Sequence, residues 1–461
     1  MLTPNLTDTI CALATPQGTG AVAIIRISGS KTTEVLKEIF VPNNGKTVET
    51  LRPRYAYLGN IEDGGTILDQ VLCTLFRGKA SYTGEDSAEI SCHGSPLIQR
   101  NIIALLIEKG VRMAERGEFT LRGFRNGKFD LAQAEAVADL IAAESTAAHD
   151  LALQQMRGGY SSKINTLREK LVKFAALIEL ELDFSEEDVA FADREQLFQL
   201  LGELKKEINL LITSFQRGNV IKKGIPVAII GKPNAGKSTL LNALLNEERA
   251  IVSEIPGTTR DTIEDTIQIN GYTFRFIDTA GLHESQDTIE KMGIQRTIEK
   301  INQAKVILHL FDLSTTDEKQ LEAEIAQFQT HLNKEEKKWI LIANKADTSN
   351  RKELSIKGKE ILWISAKKRK NIHLVTEALN HVVEKASLTD RTIVSNTRHY
   401  EALLLANQAI EEVEQGFKQQ IPSDLVAIDI RSALHHLGSI TGAITSDEIL
   451  GNIFNQFCIG K

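Results

Sequence analysis

The stretch Val227-Ala-Ile-Ile-Gly-Lys-Pro-Asn-Ala-Gly-Lys-Ser-Thr-Leu240 decides the fold of the middle of this chain. The apolar residues Val227–Ile230 predict a buried strand, and Gly231–Ser238 matches the pattern GxxxxGK[ST]. Thr239–Leu245 then has the composition of a helix. A strand that passes through such a loop into a helix predicts a phosphate-binding loop, because backbone amides and the helix N-terminus both face the anion.

The loop and a later motif supply the groups that a nucleoside triphosphate with Mg²⁺ requires. Lys237 can reach the β and γ phosphates, and Ser238 can offer its hydroxyl to Mg²⁺. The motif Asp278-Thr-Ala-Gly281 ends another predicted strand. Its aspartate can hold Mg²⁺ through water, and its glycine amide can touch the γ-phosphate. Between the two lies Pro256-Gly-Thr-Thr-Arg-Asp261, in which either threonine can complete the metal shell.

Two further motifs select the base. Asn344-Lys-Ala-Asp347 follows the predicted strand Trp339–Ala343, and its carboxylate can accept both hydrogens that guanine, unlike adenine, presents together. Ser365-Ala-Lys367 follows the predicted strand Ile361–Ile364 and can add a backbone amide to the guanine oxygen. An isolated NKAD is often only a surface turn, but its place between the phosphate loop and SAK predicts GTP.

One residue of the usual GTPase pattern is absent. Where a glutamine commonly orients the attacking water, this chain has Leu282. Asn234 in the phosphate loop offers an amide oxygen that could coordinate a monovalent cation, which would stabilise transition-state charge. The alternative is that Asn234 only stabilises the turn of the loop, and the spacing does not choose between the two.

The succession of strand-like and helix-like segments along the chain predicts a multidomain protein with a discontinuous helical part. Residues 1–120 favour an α+β N-terminal domain, 121–223 and 386–461 favour long helices, and 224–385 alternate strands with helices. We therefore expect an α+β N-terminal domain, a discontinuous α-helical bundle and an inserted Ras-like α/β P-loop G domain. Three sequential domains are the alternative.

The composition restricts the class of protein. The chain has 461 residues, of which 42% are apolar and 25% charged, and its net charge of −7 argues against a stand-alone binder of nucleic acid. Its cysteines lack zinc-ligand or disulfide-framework spacing: Cys11, Cys73, Cys92 and Cys458. With neither a signal peptide nor a long apolar run in view, we expect a cytoplasmic protein that does not engage a membrane.

A family resemblance rests on motifs spread over essentially the whole chain. They are GKPNAGKS and PGTTRD in the G domain, together with Ala14-Thr-Pro-Gln-Gly18, Arg26-Ile-Ser-Gly29, Ser81-Tyr-Thr-Gly-Glu-Asp86, Arg116-Gly-Glu-Phe119, Lys128-Phe-Asp-Leu-Ala-Gln-Ala-Glu135 and Phe457-Cys-Ile-Gly-Lys461. The chain resembles the MnmE (TrmE) family of tRNA-modification GTPases.

The resemblance implies a function and partners. Members have an N-terminal folate-binding domain that forms a homodimer, and they act with the FAD protein MnmG in a heterotetramer or larger complex. Together these proteins add an aminomethyl or carboxymethylaminomethyl group to C5 of the wobble uridine of certain tRNAs. The one-carbon unit comes from a tetrahydrofolate derivative, 5-formyl- or 5,10-methylene-.

The resemblance also assigns residues at the nucleotide site. A potassium site falls on Asn234, Ser253, Ile255 and Thr258, magnesium ligands fall on Ser238 and Thr259, and the catalytic glutamate falls on Glu290. From the residues alone, Glu290 is only a solvated helix charge. The predicted GTP contacts are Asn234, Ala235, Gly236, Lys237, Ser238, Thr239, Ser253, Glu254, Ile255, Pro256, Gly257, Thr258, Thr259, Asp278, Thr279, Ala280, Gly281, Asn344, Lys345, Asp347, Ser365, Ala366 and Lys367.

The implied folate pocket falls on Arg26, Glu89, Lys128 and Lys461. Arg26 and Lys128 could instead be ordinary surface charges, and Cys458 could be a nucleophile or a packed thiol. The basic segment Arg112–Lys128 could meet tRNA phosphates or merely feed the folate pocket. Two other functions compete: a ribosome-assembly or signalling GTPase that modifies nothing, and a folate-dependent transferase acting alone.

Overall fold

The computed structural model describes residues 7–183, 194–247, 265–277, 290–330, 337–349, 354, 356, 360–384 and 393–461. The chain forms two compact units. The first comprises Met1–Ala138, Gln155–Lys205 and Ala402–Lys461, and the second Asp139–Gln154 and Lys206–Glu401. This partition keeps the N-terminal sheet with part of the helices, so the predicted boundaries 1–120, 121–223, 224–385 and 386–461 stay a prediction.

A seven-stranded sheet dominates the start of the first unit, in the order β3-β4-β5-β6-β2-β1-β7. All neighbours pair antiparallel except β1 and β7, which are parallel. The strands are β1 Ile10–Leu13, β2 Val22–Ser28, β3 Phe40–Pro42, β4 Ala56–Asp63, β5 Thr66–Phe76, β6 Ser87–His93 and β7 Arg112–Met113. Helices α1 (Thr32–Ile39) and α2 (Pro96–Glu108) cover one face.

The alternation of β2 decides which side chains are left on the other face. Ala23, Ile25 and Ile27 are buried in the core beneath the helices. Because successive strand residues point to opposite faces, Arg26 lies on the uncovered side, where the strand register places it beside Glu89. Leu58 and Leu72 pair across β4 and β5, and both are exposed.

Long helices complete the first unit and lead into the second. They are α3 Glu118–Arg125, α4 Leu131–Ala142, α5 Thr146–Met156, α6 Gly159–Asp183, α7 Arg194–Lys223, then α12 Thr397–Lys418, α13 Ser423–Thr441 and α14 Asp447–Phe454. Helix α6 packs along α13, and the rings of Phe174 and Phe417 meet edge-on at 6.0 Å. Helices from before and after the G domain therefore share one core, which confirms the discontinuous helical part.

The second unit contains a six-stranded sheet in the order β13-β12-β11-β8-β10-β9. Only β9 and β10 pair antiparallel. The strands are β8 Ile225–Ile230, β9 Asp265–Ile269, β10 Tyr272–Phe276, β11 Val306–Asp312, β12 Lys338–Asn344 and β13 Ile361–Trp363. The helices are α8 Lys237–Glu247, α9 Glu290–Gln303, α10 Glu318–Thr330 and α11 His373–Glu384. The predicted α/β G domain is thus confirmed.

The apolar face of α4 is covered along only part of its length. Leu131, Ala134, Val137, Ala138 and Ile141 share a face of α4, yet Ile141 is 54% exposed. The apolar side chains of α14 and the C-terminal segment cover Leu131 and Ala134 and extend only as far as Ala138. Periodicity identified the helix but could not show where its apolar partner ends.

No helix within the described ranges combines the length and the apolar character needed to cross a bilayer.

Candidate functional site

Two glycines shape the phosphate loop between β8 and α8. Gly231 has φ +142°, and a Cβ there would lie 1.9 Å from the carbonyl oxygen of Leu310. Gly236 has φ +98°, and its Cβ would lie 2.3 Å from Nδ2 of Asn344. Both positions therefore require glycine for space as well as for backbone conformation.

Lys237, the first residue of α8, links two carbonyl groups of the phosphate loop. Its Nζ donates hydrogen bonds to the carbonyl oxygens of Gly231, at 2.9 Å, and Lys232, at 3.0 Å. Burial lowers the pKa of Lys237, and the positive charge of Lys300 lowers it further. The ammonium group thus lies in a partly desolvated loop, where a phosphate would strengthen its charged form.

Asn344 joins the three motif loops that the sequence singled out. Its Nδ2 donates to the carbonyl oxygen of Ala235 at 2.8 Å, and its Oδ1 accepts from the amide of Ala366 at 3.0 Å. Asn344 is buried at the end of β12. Hydrogen bonds therefore hold the phosphate loop, NKAD and SAK in one place, and the Ala366 amide, which the sequence offered to the guanine oxygen, is engaged in this bridge.

The carboxylate of Asp347 is held ionised beside the SAK loop. A hydrogen bond from Ser365 lowers its pKa most, and Lys368, whose Nζ lies 3.6 Å away, adds to the effect. The hydroxyl of Ser365 also accepts the amide of Lys368 at 3.3 Å. A charged, oriented carboxylate can accept two N–H groups from one base edge, which is what guanine presents.

Other predicted nucleotide residues lie outside the described part of the chain. They are Ser253, Glu254, Ile255, Pro256, Gly257, Thr258, Thr259, Asp278, Thr279, Ala280 and Gly281, together with Leu282. Glu290 is the first residue of α9, but its side chain also falls outside the described set. Ser238 and Thr239 lie in the first turn of α8, next to Lys237.

Asp312 was missed by the sequence reasoning. It ends β11 and its Oδ2 lies 2.7 Å from Nζ of Lys345 in the NKAD motif. No local sequence signal marks this pair, because it depends on β11 lying beside β12 with Asp312 in register with Asn344.

A second charged site surrounds Arg26 on the uncovered face of the N-terminal sheet. Its guanidinium pairs with Oε1 of Glu89 at 2.8 Å and donates to the carbonyl oxygen of Gly460 at 3.3 Å. Burial lowers the pKa of Lys461, and the charge of Arg26 lowers it further. Strand β2 and the C-terminal segment therefore bring Arg26, Glu89 and Lys461 together.

Aromatic rings line this Arg26 site. The guanidinium carbon lies 5.5 Å from the ring centre of Tyr82 and 5.7 Å from that of Phe119. The ring of Tyr82 lies 5.6 Å from that of Phe129. Such packing fixes the direction of the arginine by stacking and cation–π attraction.

Lys128 stands apart from the other predicted folate residues. Its Nζ donates to the carbonyl oxygen of Lys79, and its neighbour Phe129 reaches the site only through Tyr82. Among the described side chains no hydrogen bond or ion pair joins Lys128 to Arg26, Glu89 or Lys461. The structure therefore pairs Arg26 with Glu89, places Lys461 near enough for the charge of Arg26 to lower its pKa, and leaves Lys128 at the margin.

The basic segment Arg112–Lys128 is divided in its use. Arg122 is 1% exposed and pairs with Asp8, Glu85 and Glu118. Arg112 pairs with Asp8 and Glu118 as well. Both arginines therefore form ion pairs within the N-terminal fold, whereas the side chains of Arg116, Arg125 and Lys128 are exposed to solvent.

All four cysteines of the chain are free thiols. Cys11, Cys73 and Cys92 are buried, and burial raises the pKa of Cys11 and of Cys73 to about 12. Cys458 is exposed, which does not fit the packed thiol considered from the sequence.

The mostly parallel sheet, the glycine-shaped phosphate loop and the Asn344 bridge from that loop to the SAK loop define a P-loop nucleotide-binding domain of the GTPase kind. The family model described as MnmE helical domain matches residues 131–458, and the one described as GTP-binding protein TrmE N-terminus matches residues 9–128. The chain belongs to the MnmE family of tRNA modification GTPases.

Relatives match over nearly the full length of both chains. A tRNA modification GTPase MnmE from Flavobacterium psychrophilum is 54% identical over 458 residues, which cover 98% of this chain and 99% of the relative. Another with that name, from Cytophaga hutchinsonii, is 52% identical and covers 99% of this chain and 98% of its own. The helical match spans the whole G domain, as expected if that domain is inserted.

Proposed function

We propose that this chain is a potassium-activated GTPase that works with an MnmG-type FAD protein on tRNA. Together they add an aminomethyl or carboxymethylaminomethyl group to C5 of the wobble uridine, with a folate one-carbon unit. The observation that carries the proposal is that one chain joins an Asn344-bridged GTP site to a separate charged site at Arg26. The near full-length identity to curated MnmE proteins supports it.

The metals of the proposal are K⁺ and Mg²⁺. The residues assigned to these ions offer hydroxyl, amide and backbone oxygens. Such oxygens suit hard cations. Ser238 and Thr259 would hold Mg²⁺, and Asn234 with Ser253, Ile255 and Thr258 would hold K⁺. Both ions would balance charge that develops on the phosphates.

Asn234 fits this assignment without requiring it. Its backbone has φ +62°, a conformation that asparagine tolerates better than most residues, so the loop turn alone accounts for asparagine. A potassium test therefore has to decide. We expect GTP turnover to rise by roughly tenfold or more when K⁺ replaces Na⁺ at equal ionic strength, with GTP affinity little changed. Equal rates in the two salts would refute the cation role.

The Arg26 site suits a folate in charge and shape. Arg26, which pairs with Glu89, and Lys461 are partly buried cations, and the charge of Arg26 lowers the pKa of Lys461, so an anionic tail would offset their mutual repulsion. The carboxylate and the nearby ring of Tyr82 suit the polar edge and the flat face of a pterin. We therefore keep Arg26, Glu89 and Lys461 as folate contacts, with Lys128 at the margin, where a long ligand could reach it.

A homodimer formed through the N-terminal domain belongs to the same proposal. The uncovered face of the sheet carries Val22, Leu58 and Leu72, which are exposed beside the Arg26 row. Apolar side chains on an open sheet face gain free energy when a second copy covers them. We place the complex in the cytoplasm, with MnmG and tRNA as its other components.

Nucleoside analysis tests the whole proposal. Wobble-position nucleosides from cells that lack this protein should have lost the C5 group, and a plasmid copy should restore it. A copy with Lys237→Ala should not restore it, because the phosphate loop then lacks its ammonium group. An unchanged nucleoside profile in the deletion strain would contradict the tRNA function while leaving GTP hydrolysis intact.

A further inference from the structure

An ion pair behind the guanine-recognition motif has no role in the function described so far. Asp312 is the last residue of β11 and lies in register with Asn344, the last residue of β12. Its Oδ2 lies 2.7 Å from Nζ of Lys345, and the Leu313 amide donates to the Asn344 carbonyl oxygen at 3.1 Å. The two strand ends are therefore fastened together by main chain and by side chain.

Lys345 is held in an unusual backbone conformation. Its φ is +63°, in the left-handed region that costs a side-chain-bearing residue free energy. It lies between Asn344, which bridges to Ala235 and Ala366, and Asp347, which the sequence assigns to the base. A conformation of this kind persists only when surrounding contacts determine it, and Asp312 provides one such contact.

The Asp312 carboxylate is itself fixed in direction. Its Oδ1 accepts the Ser314 amide at 2.9 Å and the Ser314 hydroxyl at 2.6 Å, which leaves Oδ2 for Lys345. Burial alone would raise the pKa of Asp312, but the hydrogen bonds from Lys345 and Ser314 outweigh it and hold the pKa below its ordinary value. The Asp312 carboxylate is therefore ionised, and its Oδ2 is oriented towards Nζ of Lys345.

We propose that Asp312 is a positioning residue for guanine recognition, because it holds Lys345 and thereby the turn that carries Asp347. The Asp312–Lys345 pair lies on the base side of the site, while Lys237 and Ser238 serve the phosphates from α8. Loss of the pair should loosen the hold on the nucleotide without changing phosphate chemistry. The inference depends on GTP binding and is independent of the proposed folate and tRNA chemistry.

The decisive variant is Asp312→Asn in the full chain. Asparagine keeps the size of the side chain and can still accept the Ser314 amide, so the turn after β11 is retained while the charge is lost. We expect release of a fluorescent GDP analogue to become about tenfold faster, as befits a lost charged hydrogen bond. KM for GTP should rise by a similar factor, with kcat at saturating GTP unchanged.

Two further variants separate positioning from a structural role. Ser314→Ala removes a hydrogen bond to the same carboxylate but leaves the ion pair, and should change GDP release by less than about twofold. Lys345→Met removes the charge that Asp312 holds, so adding Asp312→Asn to it should have no further effect. Independent, multiplying effects of the two substitutions would overturn the proposal.

The remaining outcomes also decide. Unchanged GDP release in Asp312→Asn, or a fall in kcat with unchanged KM, would overturn the proposal. If Asp312→Asn does not fold, as judged by tryptophan fluorescence, Asp312→Ser takes its place, because it also removes the charge that pairs with Lys345. Unchanged GDP release in a folded Asp312→Ser protein would overturn the proposal.

Discussion

The nucleotide site and the Arg26 site are built in opposite ways. The phosphate loop is one short segment whose shape is fixed by two glycines and one lysine, all within a single strand–loop–helix unit. Arg26 instead donates to Gly460, which lies 434 residues away along the chain. A site made from one segment is fragile to local steric change, whereas a site made from distant segments is sensitive to whatever holds its ends together.

The largest effect should follow from Gly231→Ala. Its Cβ would lie 1.9 Å from the Leu310 carbonyl oxygen in a backbone conformation that favours glycine, so the loop must move. We expect GTP affinity to fall about 1,000-fold or more by equilibrium titration. Gly202→Ala is the matched control, because that helical position has open space, and should leave GTP affinity unchanged.

The same variant tests whether the two sites are separate. Folate binding by the Gly231→Ala protein should equal that of the unaltered chain, since the Arg26 site draws on other segments. A parallel loss of folate binding would break the contrast between the two regions.

The next largest effect concerns Glu290 at the start of α9. If this residue orients the attacking water in place of the glutamine that Leu282 replaces, Glu290→Ala should lower kcat by roughly 100-fold and retain GTP affinity. Single-turnover hydrolysis and nucleotide titration measure the two quantities separately. Glu299→Ala, an exposed change on the same helix, provides the control. Normal turnover in Glu290→Ala would remove the assigned role.

A smaller effect should follow from deleting residues 458–461. The deletion removes the Gly460 carbonyl that Arg26 contacts and the Lys461 ammonium beside it. We expect affinity for 5-formyltetrahydrofolate to fall by roughly tenfold to 100-fold, as for the loss of one or two charged hydrogen bonds. GTP turnover should not change. Arg125→Ala, which breaks an exposed pair with Asp447, should leave folate affinity intact.

The two regions also differed in what the sequence could predict. The phosphate loop, NKAD and SAK were found from spacing, because parallel strands bring their carboxyl ends to one edge of the sheet. The Asp312–Lys345 pair was missed, since it depends on which strands are neighbours and on their register. Arg26, Glu89 and Lys461 came only from family resemblance, because nothing local in the sequence relates β2 to the C-terminal segment. Family resemblance also assigned Lys128 to this site, but its Nζ donates a hydrogen bond to the Lys79 carbonyl oxygen instead.

Acid stability should show the smallest difference between the regions. In the first unit, burial alone would raise the pKa of Glu118, but hydrogen bonds from Arg112 and Arg122 outweigh it and hold the pKa below its ordinary value of 4.5. The pKa of Asp8 is likewise held below 3.8 against burial. Such carboxylates add stability above their unfolded pKa values, and that stability is lost as pH falls through the folded values.

We therefore expect the unfolding temperature of the first unit to be level from pH 7 to about pH 5 and to fall below about pH 4.5. The unfolding temperature of the G domain should fall less over that window, because its carboxylates with lowered pKa, Asp312 and Asp347, pair with solvent-accessible lysines, Lys345 and Lys368. Both tryptophans of the chain, Trp339 and Trp363, lie in the G domain, so their fluorescence follows that domain alone. Amide hydrogen exchange in β1 and α3 reports on the unfolding of the first unit. Equal losses in both regions at pH 4 would show that the buried Glu118 cluster contributes no more than an exposed pair.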